Sequence, residues 1–362
     1  MTNREHSLDA ARGTLMILGV FLHAANIYAP GSTWLVVDSS THPAFGWLIG
    51  FIHAFRMHAF FWISGYFTSL VFVRAADTTA LASRLQRLLL PLIFTWLVVN
   101  SLQDLLVYGR WNELLRVPLV YHLWFLFDLV LFTVLGFLAF KSRRVVSILS
   151  HPAWQSLPSV LLASCFVAFA WLLTVIVRTS SVAYVEWFGL SSLFRLATYA
   201  PWFLLGAAMY FQKNLIERFA SIPWALLPVA ATCVILITPL TAVGSMIYRE
   251  IALLLQTSLV FCCVGAALGV FRRLFRRSNK LVHLLSDSAY TIYLLHQMLV
   301  VGVGMLLLPI EINIAWKYCI VVTTSIIVSI GVHILLVKRF DGVSLALNGK
   351  RLRKERLAPV RP

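Results

Sequence analysis

Ten apolar runs follow one another along the chain, at roughly 13–29, 47–73, 88–108, 119–140, 158–177, 193–211, 223–241, 249–271, 288–308 and 314–337. Each is about 20 residues long, the length at which a helix rising ~1.5 Å per residue crosses ~30 Å of hydrocarbon. Apolar and polar residues do not alternate within them, as barrel strands require. Lipid offers no partner to a backbone N–H or C=O, so helices remain. The pattern predicts an all-α, polytopic integral membrane helical bundle with about ten transmembrane helices. Connections of at most about 17 residues leave no room for a soluble domain. Residues 1–340 therefore read as a single transmembrane domain, and 341–362 as a short basic cytoplasmic tail that touches anionic lipid. No internal repeat is visible. Asp9 and Arg12 abut the first run and no small-x-small site follows it, so an uncleaved first span is expected rather than a signal peptide.

Composition strengthens this picture. The chain is 60% hydrophobic and 12% charged, with a mean hydropathy of +0.85. A soluble domain is about half apolar and a quarter charged. The net charge of +16 lies in short loops, without a basic groove or zinc finger, so lipid and not nucleic acid is the expected partner. With the N-terminus cytoplasmic, 23 of the 30 Lys and Arg residues fall on the cytoplasmic side and 6 on the other, with Arg56 inside a span. That split predicts both termini cytoplasmic. The five cysteines lie in apolar runs without a CxxC and read as small hydrophobes.

Titratable groups at membrane depth are costly and mark function. His23 lies 11 residues beyond Arg12, about 16 Å along a helix. FIHAFRMHAFFWISGYF, residues 51–67, puts His53 and Arg56 on one face and turns His58 away. His122 opens the fourth span, Asp128 reaches mid-depth, and Glu250 sits near the outer end of the eighth. SAYTIYLLHQ, residues 288–297, puts Tyr293 and His296 on a shared face. As a set, His23, His53, Arg56 and His296 predict a polar cavity, since isolated placement would cost several kcal/mol each. Taken singly, His58, His122 and His333 read as satisfied structural residues.

Such a cavity suits proton transfer. A histidine can take a proton from a hydroxyl, an arginine can hold an oxyanion or a carboxylate, and Asp128 or Glu250 is placed to orient the histidine. No G-x-S-x-G elbow exists, so direct attack of a hydroxyl on a thioester, with His23 as base, is the simpler scheme. RLQR, residues 84–87, stands where the third span begins. It is either a phosphate-binding pair at a helix start or an ordinary basic flank. The ten histidines show no H-E-x-x-H spacing, so no metal is expected.

LDAARGTLMILGVFLHA, residues 8–24, separates Arg12 from His23 by ten residues. This pattern resembles the membrane acyltransferase-3 family, as do FFWISGYF in the second span and the R-x-x-R of Arg84 and Arg87. FIHAFRMHAFFWISGYF, HLWFL at 122–126 and IYLLH at 292–296 are similar to the branch that succinylates osmoregulated periplasmic glucans. The resemblance implies that His23 is essential and works with Arg12. It implies that Arg84 and Arg87 meet a cytoplasmic acyl-CoA, and that the acceptor lies on the periplasmic side.

The expectation is an acyl-CoA-dependent O-acyltransferase of the bacterial inner membrane, passing a succinyl group from succinyl-CoA to periplasmic glucan hydroxyls. His23, Arg12 and Arg56 would be catalytic. Arg84 and Arg87 would bind the donor. His53, His122, Trp124, Asp128, Glu250, Tyr293 and His296 would line the substrate side. No cofactor would be permanently bound, and homo-oligomerisation stays open. The alternative is a glycan or anion transporter or flippase, although related halves are lacking.

Overall fold

A computed structural model describes residues 6–74, 77–109, 120–187, 189–221, 226–237, 239, 244–275 and 280–351. Arg4, Arg110, Arg116, Arg276, Arg277 and the basic residues beyond 351, all used in the charge count, lie outside the described residues. Among the described residues the chain is helical, with one isolated bridge between Trp187 and Ser191. The helices begin with α1 (His6–Tyr28), α2 (Pro43–Phe72), α3 (Thr78–Phe94), α4 (Ser101–Tyr108) and α5 (Trp124–Lys141). Next come α6 (Arg143–Leu149), α7 (Ala153–Ser156), α8 (Ser159–Arg178), α9 (Leu193–Phe211) and α10 (Lys213–Ala220). The last are α11 (Leu226–Ile237), α12 (Met246–Leu274), α13 (Lys280–Leu307), α14 (Ile314–Val332) and α15 (Asp341–Asn348). Wide π turns follow α3 at Thr95–Asn100 and α14 at His333–Val337, and a tight turn at Tyr121–Leu123 precedes α5.

Seven helical stretches are long and apolar enough to cross a membrane: those containing α1, α3 with α4, α5, α8, α12, α13 and α14. The chain is a multi-pass membrane protein. The other three apolar runs coincide with α2, α9 and α11. Polar and aromatic residues dilute α2, which is nevertheless 30 residues long.

The helices outrun the apolar runs because hydropathy marks only their apolar middle and not the polar turns at their ends. α3 starts at Thr78, where the Asp77 carboxylate accepts from the Ala80 N–H at 2.7 Å. That bond, with one from the Thr79 hydroxyl, holds the Asp77 carboxyl below the usual carboxylate range. Arg84 and Arg87 therefore lie in the second and third turns. The expectation that they stand at a helix start, where the N-terminal dipole would aid phosphate binding, is corrected.

Small residues let helices touch. A Cβ on Gly65 of α2 would strike the Phe203 carbonyl of α9, and one on Gly206 of α9 would strike the Trp62 carbonyl of α2. These reciprocal contacts bring the two backbones together. A Cβ on Gly13 of α1 would lie 3.2 Å from the Leu285 backbone of α13. Arg12 Nη2 donates to Ser286 Oγ at 3.2 Å, while farther along the His23 and His296 rings lie 5.1 Å apart. Steps of 11 residues on α1 and 10 on α13 thus keep register, and the two helices run parallel. α2 runs back along α1, with Arg56 against Gly19 and Phe67 under the Arg12 guanidinium at 5.8 Å.

Candidate functional site

α1 carries Arg12, Met16, Gly19 and His23 on one stripe, since steps of four, three and four residues at 100° each return to the same face. α13 presents Ser286, Tyr290, Tyr293 and Gln297 in the same way, with His296 at the stripe's edge. The paired stripes connect two features about 16 Å apart along the helices.

The first is a cavity of about 540 Å³ lined by Arg12, Met16, Arg84, Arg87, Ser286, Tyr290 and Lys350, among others. Arg12 is held by Ser286 and by Asp9 Oδ1 at 3.3 Å. Arg84 donates to Thr68 Oγ1 at 2.7 Å and to the Phe67 carbonyl at 3.4 Å, and its Nε is buried without a partner. Pro91 has no N–H to offer the Arg87 carbonyl four residues back. The Tyr290 hydroxyl supplies that bond at 3.0 Å, fastening α13 to α3 beside the arginines.

The second feature is a histidine cluster. His296 lies 5.1 Å from His23 and 4.9 Å from His122, and His23 lies 6.4 Å from His122. His296 Nδ1 meets the Tyr293 carbonyl at 2.7 Å and the Ile292 carbonyl at 3.2 Å. Carbonyls only accept, so Nδ1 carries a proton, and in the neutral ring Nε2 keeps its lone pair. Tyr293 donates its hydroxyl to the His122 carbonyl at 2.7 Å. His122 enters from a turn in which Tyr121 adopts φ +47, a left-handed conformation costly for a bulky residue. The Tyr121 hydroxyl is anchored on Asp104 Oδ1, which holds that turn.

Arg56 reaches the cluster over Gly19. A Cβ there would collide with Arg56 Nη1 and lie 3.4 Å from His296 Nε2. His23 Nδ1, both nitrogens of His122, His296 Nε2 and Arg56 Nε are buried without a hydrogen-bond partner. The Gln297 amide lies beside His122 but does not complete a bond. So many unpartnered polar atoms facing one another fit a site that takes a polar ligand. Trp34, on the loop after α1, stacks on His23 with centroids 5.6 Å apart and planes 24° apart.

The expected set is therefore brought together in part. His23, Arg56, His122, Tyr293 and His296 converge. His53 shares the face of Arg56, but its side chain is exposed. His122, read singly as structural, faces the other two histidines. Trp124 and Asp128 join a neighbouring group: the Trp124 ring stacks on Tyr199 at 5.6 Å and carries the Arg195 guanidinium at 4.8 Å, while Asp128 faces Ser191 and Arg195. Glu250 pairs with Arg178 between α8 and α12. Neither carboxylate lies beside His23. Among the described residues, no group of three or more His, Cys, Asp or Glu has metal-holding geometry. Sequence reasoning does not single out Gly19, Trp34, Ser286, Tyr290 or Lys350. Only Gly19 left a signal, four residues before His23 on its face.

The family described as an acyltransferase domain matches this chain over residues 5–336. The chain is similar to glucans biosynthesis protein C of Shigella dysenteriae serotype 1, with 32% identity over 240 residues, 60% of this chain and 61% of the relative. The same-named protein of Salmonella schwarzengrund is 31% identical over 242 residues, with the same coverage. The chain thus spans less than two thirds of these relatives' length. No solved structure matches.

Proposed function

Because the chain belongs to the acyltransferase-3 family, whose domain it carries over residues 5–336, we propose that it moves an acyl group, succinyl in particular, from acyl-CoA to a hydroxyl of a periplasmic glucan. The observation that carries this reading is the pair of stripes joining the arginine-lined cavity to the histidine cluster. The named relatives, which are glucan biosynthesis proteins, point to the acceptor class.

In this reading the ten apolar runs all cross the inner membrane and both termini face the cytoplasm. Arg84, Arg87 and Arg12 hold the donor phosphates by charge-assisted hydrogen bonds. The thioester arm runs along Met16 and past the Arg56 guanidinium to His23. A ring nitrogen of His23 takes the proton of the sugar hydroxyl as its oxygen attacks the thioester carbon. Arg56 stabilises the resulting oxyanion. The C–S bond then breaks, the ester forms, and the departing thiolate receives the proton from His23 as free coenzyme A.

The test is purified protein with succinyl-CoA and glucan, read as thiol release and ester formation. His23→Ala should lower turnover by at least a hundredfold, within the ~10²–10⁴ range of general-base catalysis. His23→Ala turning over like wild type, at equal protein level, would refute the base assignment. Glucan movement across vesicles without thiol release would favour the transporter reading.

A further inference from the structure

The matched family domain ends at 336, yet the chain beyond it builds one wall of the arginine-lined cavity. α15 packs on α3, with Ser344 and Leu347 buried. It ends at Gly349, whose φ is +62. A Cβ on Gly349 would collide with the Arg87 backbone, so the turn sits directly on the R-x-x-R segment. Gln86 Nε2 donates to the Gly349 carbonyl at 3.1 Å. The Arg87 carbonyl is meanwhile fixed from the other side by Tyr290. Asn348 and Lys350, flanking Gly349, both line the cavity.

Four cations thus border one cavity: Arg12, Arg84, Arg87 and Lys350. The acid in the same lining, Asp287, has Lys338 Nζ at 3.6 Å from its carboxylate. Like charges around a shared space repel one another, and a polyphosphate placed among them removes that repulsion. We propose that the C-terminal turn completes the site: Lys350 is a direct contact for a polyphosphate-bearing ligand, and Gly349 is the positioning residue that seats it beside Arg87. The inference rests on the donor reading of this cavity and adds to it a binding residue from outside the family domain.

The test titrates purified full-length protein by calorimetry, with coenzyme A and separately with inorganic pyrophosphate. Lys350→Gln should weaken coenzyme A binding about fivefold, or ~1 kcal/mol, with an unchanged thermal midpoint. Lys350→Arg should restore most of the affinity. Gly349→Val should weaken binding at least as much. Lys213→Gln, exposed at the start of α10, should bind as wild type does. Coenzyme A bound equally by wild type and Lys350→Gln overturns the inference, and a loss in Arg87→Gln then leaves the donor reading intact. Pyrophosphate bound without coenzyme A overturns the donor reading and keeps the four-cation site. Binding of neither overturns both.

Discussion

Gly19 decides where Arg56 can sit. The atom that a Cβ at position 19 would strike is the tip of a flexible side chain, so the guanidinium would move and the helices would stay. Alanine also favours a helix over glycine by up to ~1 kcal/mol. Gly19→Ala should therefore keep or raise the thermal midpoint while turnover falls about tenfold to a hundredfold, since ~1 Å of misplacement costs that much. Unchanged turnover would remove Arg56 from the reacting centre. His23, Arg56 and His296 were legible in the sequence because a titratable group at membrane depth needs a reason to be there. Gly19 carries no charge and is marked only by its place four residues before His23, and Trp34 carries no mark at all. His122 stands at the edge of an apolar run, where a lone histidine is ordinary. Only the strained turn at Tyr121 delivers it to 4.9 Å from His296. Asp128 and Glu250 had the depth but not the direction, because depth follows from counting residues and direction depends on which helices become neighbours.

The stretch between α1 and α2 has no regular structure, yet it is tied down. The Asp38 and His42 N–H groups donate to the Ile27 and Tyr28 carbonyls at 2.9 and 3.0 Å. Asp38 Oδ2 meets Lys317 Nζ of α14 at 2.7 Å, with the two side chains 2% and 5% exposed. This ion pair fixes the loop that holds Trp34 on His23. Lys317→Met strands a buried carboxylate and should cost about 3 kcal/mol. Adding Asp38→Leu should recover most of that loss, because two apolar groups can replace a buried pair. Thermal unfolding in detergent, together with protease sensitivity of residues 30–42, checks both. A single variant as stable as wild type would mean that the pair does not hold the loop. The sequence marked this stretch only as a connection, because an ion pair between residues 279 apart leaves no local pattern. The apolar runs did locate the long helices. They misplaced the starts of α1, α3 and α13, whose first turns mix polar with apolar residues, and passed over α6, α7 and α10, which are too short to register in hydropathy.

For the whole molecule, the consequence of parallel stripes is sidedness. α1 is 23 residues long, about 35 Å, close to the thickness of the hydrocarbon layer. Arg12 lies near its first end, and His23 lies five residues, ~8 Å, from its last. The cationic cavity and the loop bearing Trp34 therefore lie toward opposite ends of the same helix. If donor and acceptor enter from these two ends, no single compartment can supply both. Sealed proteoliposomes test this without any need to orient the protein. With succinyl-CoA outside and glucan trapped inside, the molecules whose cavity faces outward should form ester. With both substrates outside, cavity-out molecules lack acceptor and the others lack donor, so ester should fall to the level set by leakage and rise again when detergent opens the vesicles. Full transfer in sealed vesicles with both substrates outside would mean that donor and acceptor share one entrance, and the path along Met16 and past Arg56 would then lose its role.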